Sequence, residues 1–274
     1  MADTVLVIGA SGKIGVPAIL AARRVGYNVL AVIRNEQSQS KLLRHVGSQE
    51  GITFTYGDPT QEQDLVNVVD QVKAGKLPDF QHVFTAVGQL HLKGPIQSVD
   101  METFHAMMTV NFEADFFAYR ATIDYLLEKA GAKATFTILT GGLATMGYGG
   151  VNSIAAGALA SLAAVMTFEN LKTNVRVNEI HLSHIVTYDS EIEEKGAAVG
   201  SKASEFARVY EEILRREDIK ASRISVADDS DIYELRIEDK LPSSKYLDVV
   251  KKDEKDLTED DRRALSEIAA VFSL

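Results

Sequence analysis

Three glycines at a spacing of three, Gly9, Gly12 and Gly15, follow directly on the apolar run Thr4-Val5-Leu6-Val7-Ile8. They open onto Pro17-Ala18-Ile19-Leu20-Ala21-Ala22, so strand, glycine turn and helix start are contiguous. Small residues in such a turn let the backbone approach a pyrophosphate. First-turn amides and the helix dipole then hold its charge. Gly9, Ser11, Gly12, Lys13, Ile14 and Gly15 are therefore expected to cradle a dinucleotide. The bland alternative is a tight strand-to-helix turn that holds nothing.

The second strand, residues 28–33, closes on Arg34-Asn35. An acidic residue at this point would bond the adenosine ribose hydroxyls of NAD, whereas a guanidinium suits a 2′-phosphate. Arg34 and Asn35 thus point to NADP(H); the alternative is a solvated arginine at a strand end.

These groups need a scaffold, and the chain supplies one by alternation. Strands are predicted at 52–56, 82–87, 134–140 and 175–182. Helices are predicted up to Arg24 and at 61–73, 101–129 and 152–171. This alternation gives an α/β fold, a Rossmann-type doubly wound, mostly parallel sheet with helices on both faces. Ligands then lie at the carboxyl ends of the strands. The whole chain is read as a single domain: a cofactor-binding core over 1–187, a substrate lid over 188–240 and a docking helix within 241–274.

Composition narrows the partners. The 274 residues carry 29 Lys and Arg against 39 Asp and Glu, a net charge of −10. That disfavours nucleic acid and anionic membranes. With no cysteine, thiol nucleophiles, disulfides and cysteine-bound metals are excluded. No leader pattern and no apolar run of membrane-spanning length is read, so the expectation is a cytoplasmic protein.

The order of motifs over roughly residues 4 to 235 resembles the short-chain dehydrogenase/reductase family. Asp58 falls where that family places an acid beside the adenine. Thr85-Ala86-Val87-Gly88 stands at its Asn-Asn-Ala-Gly strand end, which implies cofactor contacts for Ala86, Val87 and Gly88. Asn111 matches its water-ordering asparagine. Val177-Asn178 and Ile185-Val186-Thr187 resemble the segment that holds the nicotinamide, with Thr187 as a contact, although Leu182-Ser183 stands where Pro-Gly is usual.

The family's Tyr-x-x-x-Lys pair faces the nicotinamide from one helix turn, the lysine lowering the phenol pKa so that it can give or take a proton. By the resemblance those positions are Asn152 and Ala156, and the partner serine falls on Thr140, Gly141 or Gly142. An amide and a methyl cannot do the acid's work. Asn111 and Thr140 remain, and the replacement candidates are Tyr148 in a glycine loop and the rim histidines His181, His184 and His91. The histidines lack the spacing and carboxylate of a metal site.

Residues 154–166 are small or apolar nearly all round, so both faces of that helix must be buried. The family uses it for a subunit interface, which implies a homodimer or homotetramer; burial under the C-terminal segment is the alternative. Farther on, Phe206, Val209, Tyr210, Ile213 and Leu214 form one stripe. Residues 225–229 read as the capped start of a helix running to about Leu235. Leu265, Ile268, Ala269 and Phe272 make a narrow stripe on a last helix. Two function classes remain. One is an atypical NADP(H)-dependent oxidoreductase of specialised small-molecule metabolism, reducing an activated C=N or C=C or assisting a cyclisation. The other is a non-catalytic NADP(H) sensor.

Overall fold

The computed structural model describes residues 2–91, 94–129, 131–195 and 200–272. Its first half is three strand–helix units. These are β1 (Thr4–Ile8), α1 (Gly15–Arg24), β2 (Asn28–Ile33), α2 (Glu36–Val46), β3 (Ile52–Tyr56) and α3 (Glu62–Lys73). The second half continues with β4 (His82–Thr85), α4 (Met101–Met108), α5 (Ala114–Lys129), β5 (Thr135–Gly141), a short α6 (Leu143–Met146), α7 (Val151–Glu169) and β6 (Arg176–Leu182). Beyond it come β7 (Val186–Thr187), α8 (Asp189–Lys195), β8 (Ser201–Lys202), α9 (Ala203–Arg215), β9 (Ser222–Val226), α10 (Ser230–Tyr233), β10 (Arg236–Asp239), α11 (Lys245–Lys251) and α12 (Glu259–Phe272).

The main sheet runs β10-β9-β6-β5-β4-β1-β2-β3, parallel except for the edge strand β10. The chain winds outward from β1 to β3 and then returns to place β4 on the other side of β1. That reversal opens a crevice at the carboxyl ends of β1 and β4. Residues of α1, α2 and α9 join the core on one face, and residues of α3, α5 and α7 on the other. The doubly wound α/β architecture expected from the alternation is the one observed.

Several local expectations are corrected. Strand β4 stops at Thr85, so Ala86 and Val87 belong to the turn that follows. The long helix expected over 101–129 is two helices joined by a π-helical segment, Thr109–Glu113, with Asn111 at its centre. Helix α2 was not expected at all; its eleven residues bury only Leu42 and Val46, too few for an apolar stripe. The capped helix expected from 225 is instead the end of strand β9, which pairs parallel with β6, followed by one turn at α10.

Other stretches follow the pattern read from the chain. The stripe Phe206, Val209, Tyr210, Ile213 and Leu214 is buried, with Tyr210 tilted on Phe84 of β4 at 4.6 Å between ring centres. Helix α7 has the length and mean hydropathy (1.7) of a membrane span, contrary to the expectation that no run reaches one. It packs instead on the sheet through Ala155, Leu159, Ala163 and Met166. Helix α12 is capped at Thr258, whose amide donates to Asp261 Oδ2 at 2.8 Å. Side chains at 268, 269 and 272 of the expected last stripe lie outside the described residues, as do residues 196–199 of the expected lid.

Among the described residues, one buried carboxyl group has no salt bridge. Asp115 on α5 is fully enclosed and faces the Thr85 hydroxyl, without a well-formed hydrogen bond at either oxygen. Burial pushes this acid up to about 7, so the folded chain holds a proton there that the unfolded chain releases near pH 4. Stability from this group is therefore present below pH 4 and is lost as the pH rises toward 7. Asp115→Asn removes that dependence. The variant should gain on the wild type between pH 4.5 and pH 8, by up to about 4 kcal/mol, in urea unfolding at the two pH values.

Candidate active site

Backbone geometry alone builds the first part of the site. Gly9 ends β1 with φ +82°, and a Cβ there would lie 2.5 Å from the Ala86 carbonyl oxygen. A Cβ on Gly15 would run into the Gly9 and Ala10 carbonyls, so α1 starts tight against the strand end. The Gly12 amide closes the turn on Gly9 O at 3.0 Å. No side chain caps α1. Within the first turn Val16 already donates to Gly12 O at 3.1 Å and Pro17 has no amide hydrogen. The donors this end can offer an anion are therefore the amides of residues 13–15, where the helix dipole favours negative charge. Ser11, Lys13 and Ile14 line this turn, Lys13 reaching Glu191 of α8 at 3.0 Å.

The neighbouring strand ends form an open cleft of about 490 Å³ lined by Arg34, Asn35, Tyr56, Gly57, Asp58 and Asp64. Arg34 is exposed there. The Asn35 side chain caps α2, accepting from the Ser38 amide at 2.9 Å, which fixes the backbone beside Arg34. Asp58 closes its own turn by accepting from the Thr60 amide at 3.0 Å and hydroxyl at 2.8 Å. Across the glycine turn, Tyr188 donates to Ser11 O at 2.8 Å and stacks on His45 with ring centres 3.7 Å apart. Burial pushes its phenol up to about 12. Thr187 immediately precedes it and ends β7.

At the far end, two asparagines hold the loop that leaves β4. Asn111 Oδ1 accepts from the Gln89 amide at 2.7 Å. Asn152, in the first turn of α7 and buried, donates from Nδ2 to Gln89 O and accepts at Oδ1 from the His91 amide, both at 2.8 Å. Both ends of the Asn152 amide are thus committed to main chain. Helix α7 carries neither a tyrosine nor a lysine anywhere along its length. Tyr148, in the loop before it, is 72% exposed.

A polar chain lies under the ends of β5 and β6. Thr140 Oγ1 donates to Glu179 Oε1 at 2.6 Å and sits 3.2 Å from His181 Nδ1. Glu179 is fully buried and is held by Lys240 Nζ at 2.7 Å and Arg223 Nε at 2.8 Å. Burial pushes its carboxyl up, but the bonds from Arg223, Lys240 and Thr140 outweigh that and hold it below its ordinary value. Burial in turn holds the His181 imidazole below its ordinary value, with Glu179 opposing. His184 lies elsewhere: its Nε2 meets Ser201 Oγ at 2.7 Å and Asp229 Oδ1 at 3.1 Å, tying β8 to the turn before α10. The rim candidates are therefore not equivalent. Thr140 and His181 are brought together, Asn111 and Asn152 share one loop, and Tyr148 and His184 stand apart from both sets.

A family model described as short chain dehydrogenase matches residues 3–196. The chain belongs to the short-chain dehydrogenase/reductase family. The short-chain dehydrogenase/reductase iacG of Pestalotiopsis fici is 46% identical over 242 residues, covering 88% of this chain and 97% of that relative. Among solved structures, a short-chain type dehydrogenase/reductase from Mycobacterium ulcerans superposes with a TM-score of 0.70 at 20% identity, over 84% of this chain and 90% of its own. ElxO with NADP bound gives 0.71 at 15% identity, over 82% and 97%. At these identities the structural likenesses speak for the short-chain dehydrogenase fold.

Sequence reasoning had not singled out Glu179, Arg223, Lys240 or Tyr188. Glu179 was legible only as one of several polar residues in the sixth strand, and a charge in mid-strand demands partners. The Asn152 clamp generates a direct expectation. Asn152→Asp sets a carboxylate oxygen against the Gln89 carbonyl and removes the donor. It should cost about 2 kcal/mol in chemical denaturation at pH 7, more than Ser161→Gly costs at an exposed position of the same helix.

Proposed function

We propose that this member of the family is an NADP(H)-dependent oxidoreductase of specialised small-molecule metabolism that works without the usual Tyr-x-x-x-Lys pair. One observation carries the reading. A glycine turn with no room for side chains at Gly9 and Gly15 stands in one fold with a helix, α7, that has no phenol and no amine to offer. Gly9, Ser11, Gly12, Lys13, Ile14 and Gly15 hold the pyrophosphate, the amides at the mouth of α1 supplying the donors. Asp58 lies beside the adenine, Ala86, Val87 and Gly88 floor the crevice, and Thr187 closes it. Arg34, exposed in the cleft at the end of β2, favours the 2′-phosphate of NADP(H), and NADP is bound in the structure of the fold neighbour ElxO. When bound, the nicotinamide supplies a hydride.

Without the phenol, the substrates that suit this site are those needing little acid assistance. An iminium is already cationic and becomes a neutral amine on accepting hydride. An activated C=C places its negative charge on a conjugated group that a rim donor stabilises. Asn111 keeps the loop after β4 in place, and Thr140 and His181 provide the hydroxyl and imidazole nearest the strand ends. Tyr148, on its glycine loop, is a lid-type residue. The net charge of −10 suits a small-molecule substrate over nucleic acid. Exposed Ile154, Val165 and Phe168 on α7 favour pairing of two copies through this helix. The second reading, an NADP(H)-binding regulatory protein, is favoured by Asn152, whose amide is spent on the loop and not turned to a ligand.

Titration followed by reduced-nicotinamide fluorescence tests the shared premise. NADPH should bind at least ten-fold tighter than NADH. Arg34→Asp should weaken NADPH by one to two orders of magnitude, on the scale of about 1.5–3 kcal/mol for a charge-assisted contact, and leave NADH nearly unchanged. Equal loss for both nucleotides would defeat the assignment of Arg34 to the 2′-phosphate.

A further inference from the structure

Glu179 has no place in the cofactor cradle, yet three side chains are spent on it. It is fully buried in mid-strand, and it takes Lys240 from beyond β10, Arg223 from β9 and Thr140 from β5 to satisfy it. Its effect on the site runs through one hydroxyl. A hydroxyl has a single proton to donate. Because Glu179 is an ionised acceptor, the Thr140 proton points at Glu179 Oε1, as the 2.6 Å separation requires. The Thr140 oxygen is then left with lone pairs toward His181 Nδ1, 3.2 Å away, and accepts from it. Nδ1 must therefore carry hydrogen, which leaves Nε2 as the nitrogen that titrates.

We infer that Glu179 and Thr140 are positioning residues that lock His181 as its Nδ1–H tautomer and make Nε2 the proton-handling atom of this active site. The groups facing the imidazole are Thr140 from β5, Glu179 from β6, Arg223 from β9 and Lys240 beyond β10. Glu179 is the one anion among them, and the two cations are spent on it. Nδ1 is a donor in both protonation states, so the ring keeps one orientation while Nε2 gains or loses its proton. In reduction of an activated C=C, the Nε2–H bond breaks as a substrate C–H or O–H bond forms. A bound nicotinamide would supply the hydride, and the imidazole would be left neutral as the Nδ1–H form. Burial lowers the imidazole, so the charged, donating form grows as the pH falls below the ordinary histidine range. The lock stands on this geometry alone; the catalytic role rests on the reductase reading above.

The test is long-range ¹H–¹⁵N NMR on the full chain labelled at histidine, with His181 assigned among the six histidines by His181→Asn. The wild type should show Nδ1–H for His181 at neutral pH. Thr140→Val, of equal size, should move the proton to Nε2, and Thr140→Ser should restore the wild-type pattern. An Nε2–H ring in the wild type, or a tautomer indifferent to Thr140→Val, overturns the lock. A second titration adds NADP⁺ or NADPH as probes. A cationic nicotinamide close to Nε2 should lower the His181 midpoint by about one pH unit relative to the NADPH complex. Identical midpoints in two formed complexes overturn the catalytic role. Failure of both nucleotides to bind would sink the reductase reading itself, whatever tautomer His181 shows.

Discussion

The structure depends on how closely two strand ends approach at the centre of the sheet. Gly9 at the end of β1 passes under the Ala86 carbonyl with no room for a side chain, in a backbone conformation that L-residues rarely adopt. Gly15 allows α1 to begin against the same turn. These contacts bring β1, β4 and the α1 N-terminus together at the point where the strand order reverses. Everything that reads as cofactor binding is arranged around that point. A methyl group at Gly15 would push the helix off the strand, and one at Gly9 would force the Ala86 carbonyl away from β1.

The loop after β4 is fixed in a different way. The Ala86 amide still bonds Ile8 O of β1 at 3.0 Å, and from Gln89 onward side chains take over the pairing. Asn111 answers the Gln89 amide; Asn152 answers the Gln89 carbonyl and the His91 amide. An asparagine amide has the donor and acceptor of a peptide group, so Asn152 acts as a one-residue strand. The π-helical segment at Thr109–Glu113 surrounds Asn111, and π insertions of this sort gather at functional positions.

What the chain disclosed in advance follows from the range of the forces involved. The strands, the glycine turn and the α9 stripe are local patterns of period 2 or 3.6, and they were legible. Helix α2 was not, because Asn35 was read as a ligand contact when it is also a cap, and because Glu36–Val46 is polar along most of its length. Strand β9 shows alternating burial, but Ser225 invited a capping interpretation, and only pairing with β6 decides between them. The π segment, with the weak helix formers Thr109, Val110, Asn111 and Phe112, sits between helical stretches, and no periodicity in it separates a π turn from an α turn. Least visible was the polar chain. Thr140, Glu179 and His181 are close to one another through the β5–β6 register, and Arg223 and Lys240 join only once β9 and β10 are placed.

The two ends of the site therefore answer to different physics. The cradle is made of main chain, and its demand on sequence is negative: no side chain at certain points. The chemical end is made of side chains whose protons are fixed by neighbours, and its demand is positive and long-range. Burying Glu179 with two cations is a poor way to stabilise a sheet, since apolar residues of similar volume are often more stable by about 1–4 kcal/mol. A buried ion cluster of that kind contributes orientation above all. Here the atoms it orients are the Thr140 hydroxyl and, through it, the His181 ring. A fold can keep its cradle unchanged while the acid at the other end is rebuilt on another strand, because nothing in the geometry of Gly9 and Gly15 constrains which side chain carries the proton.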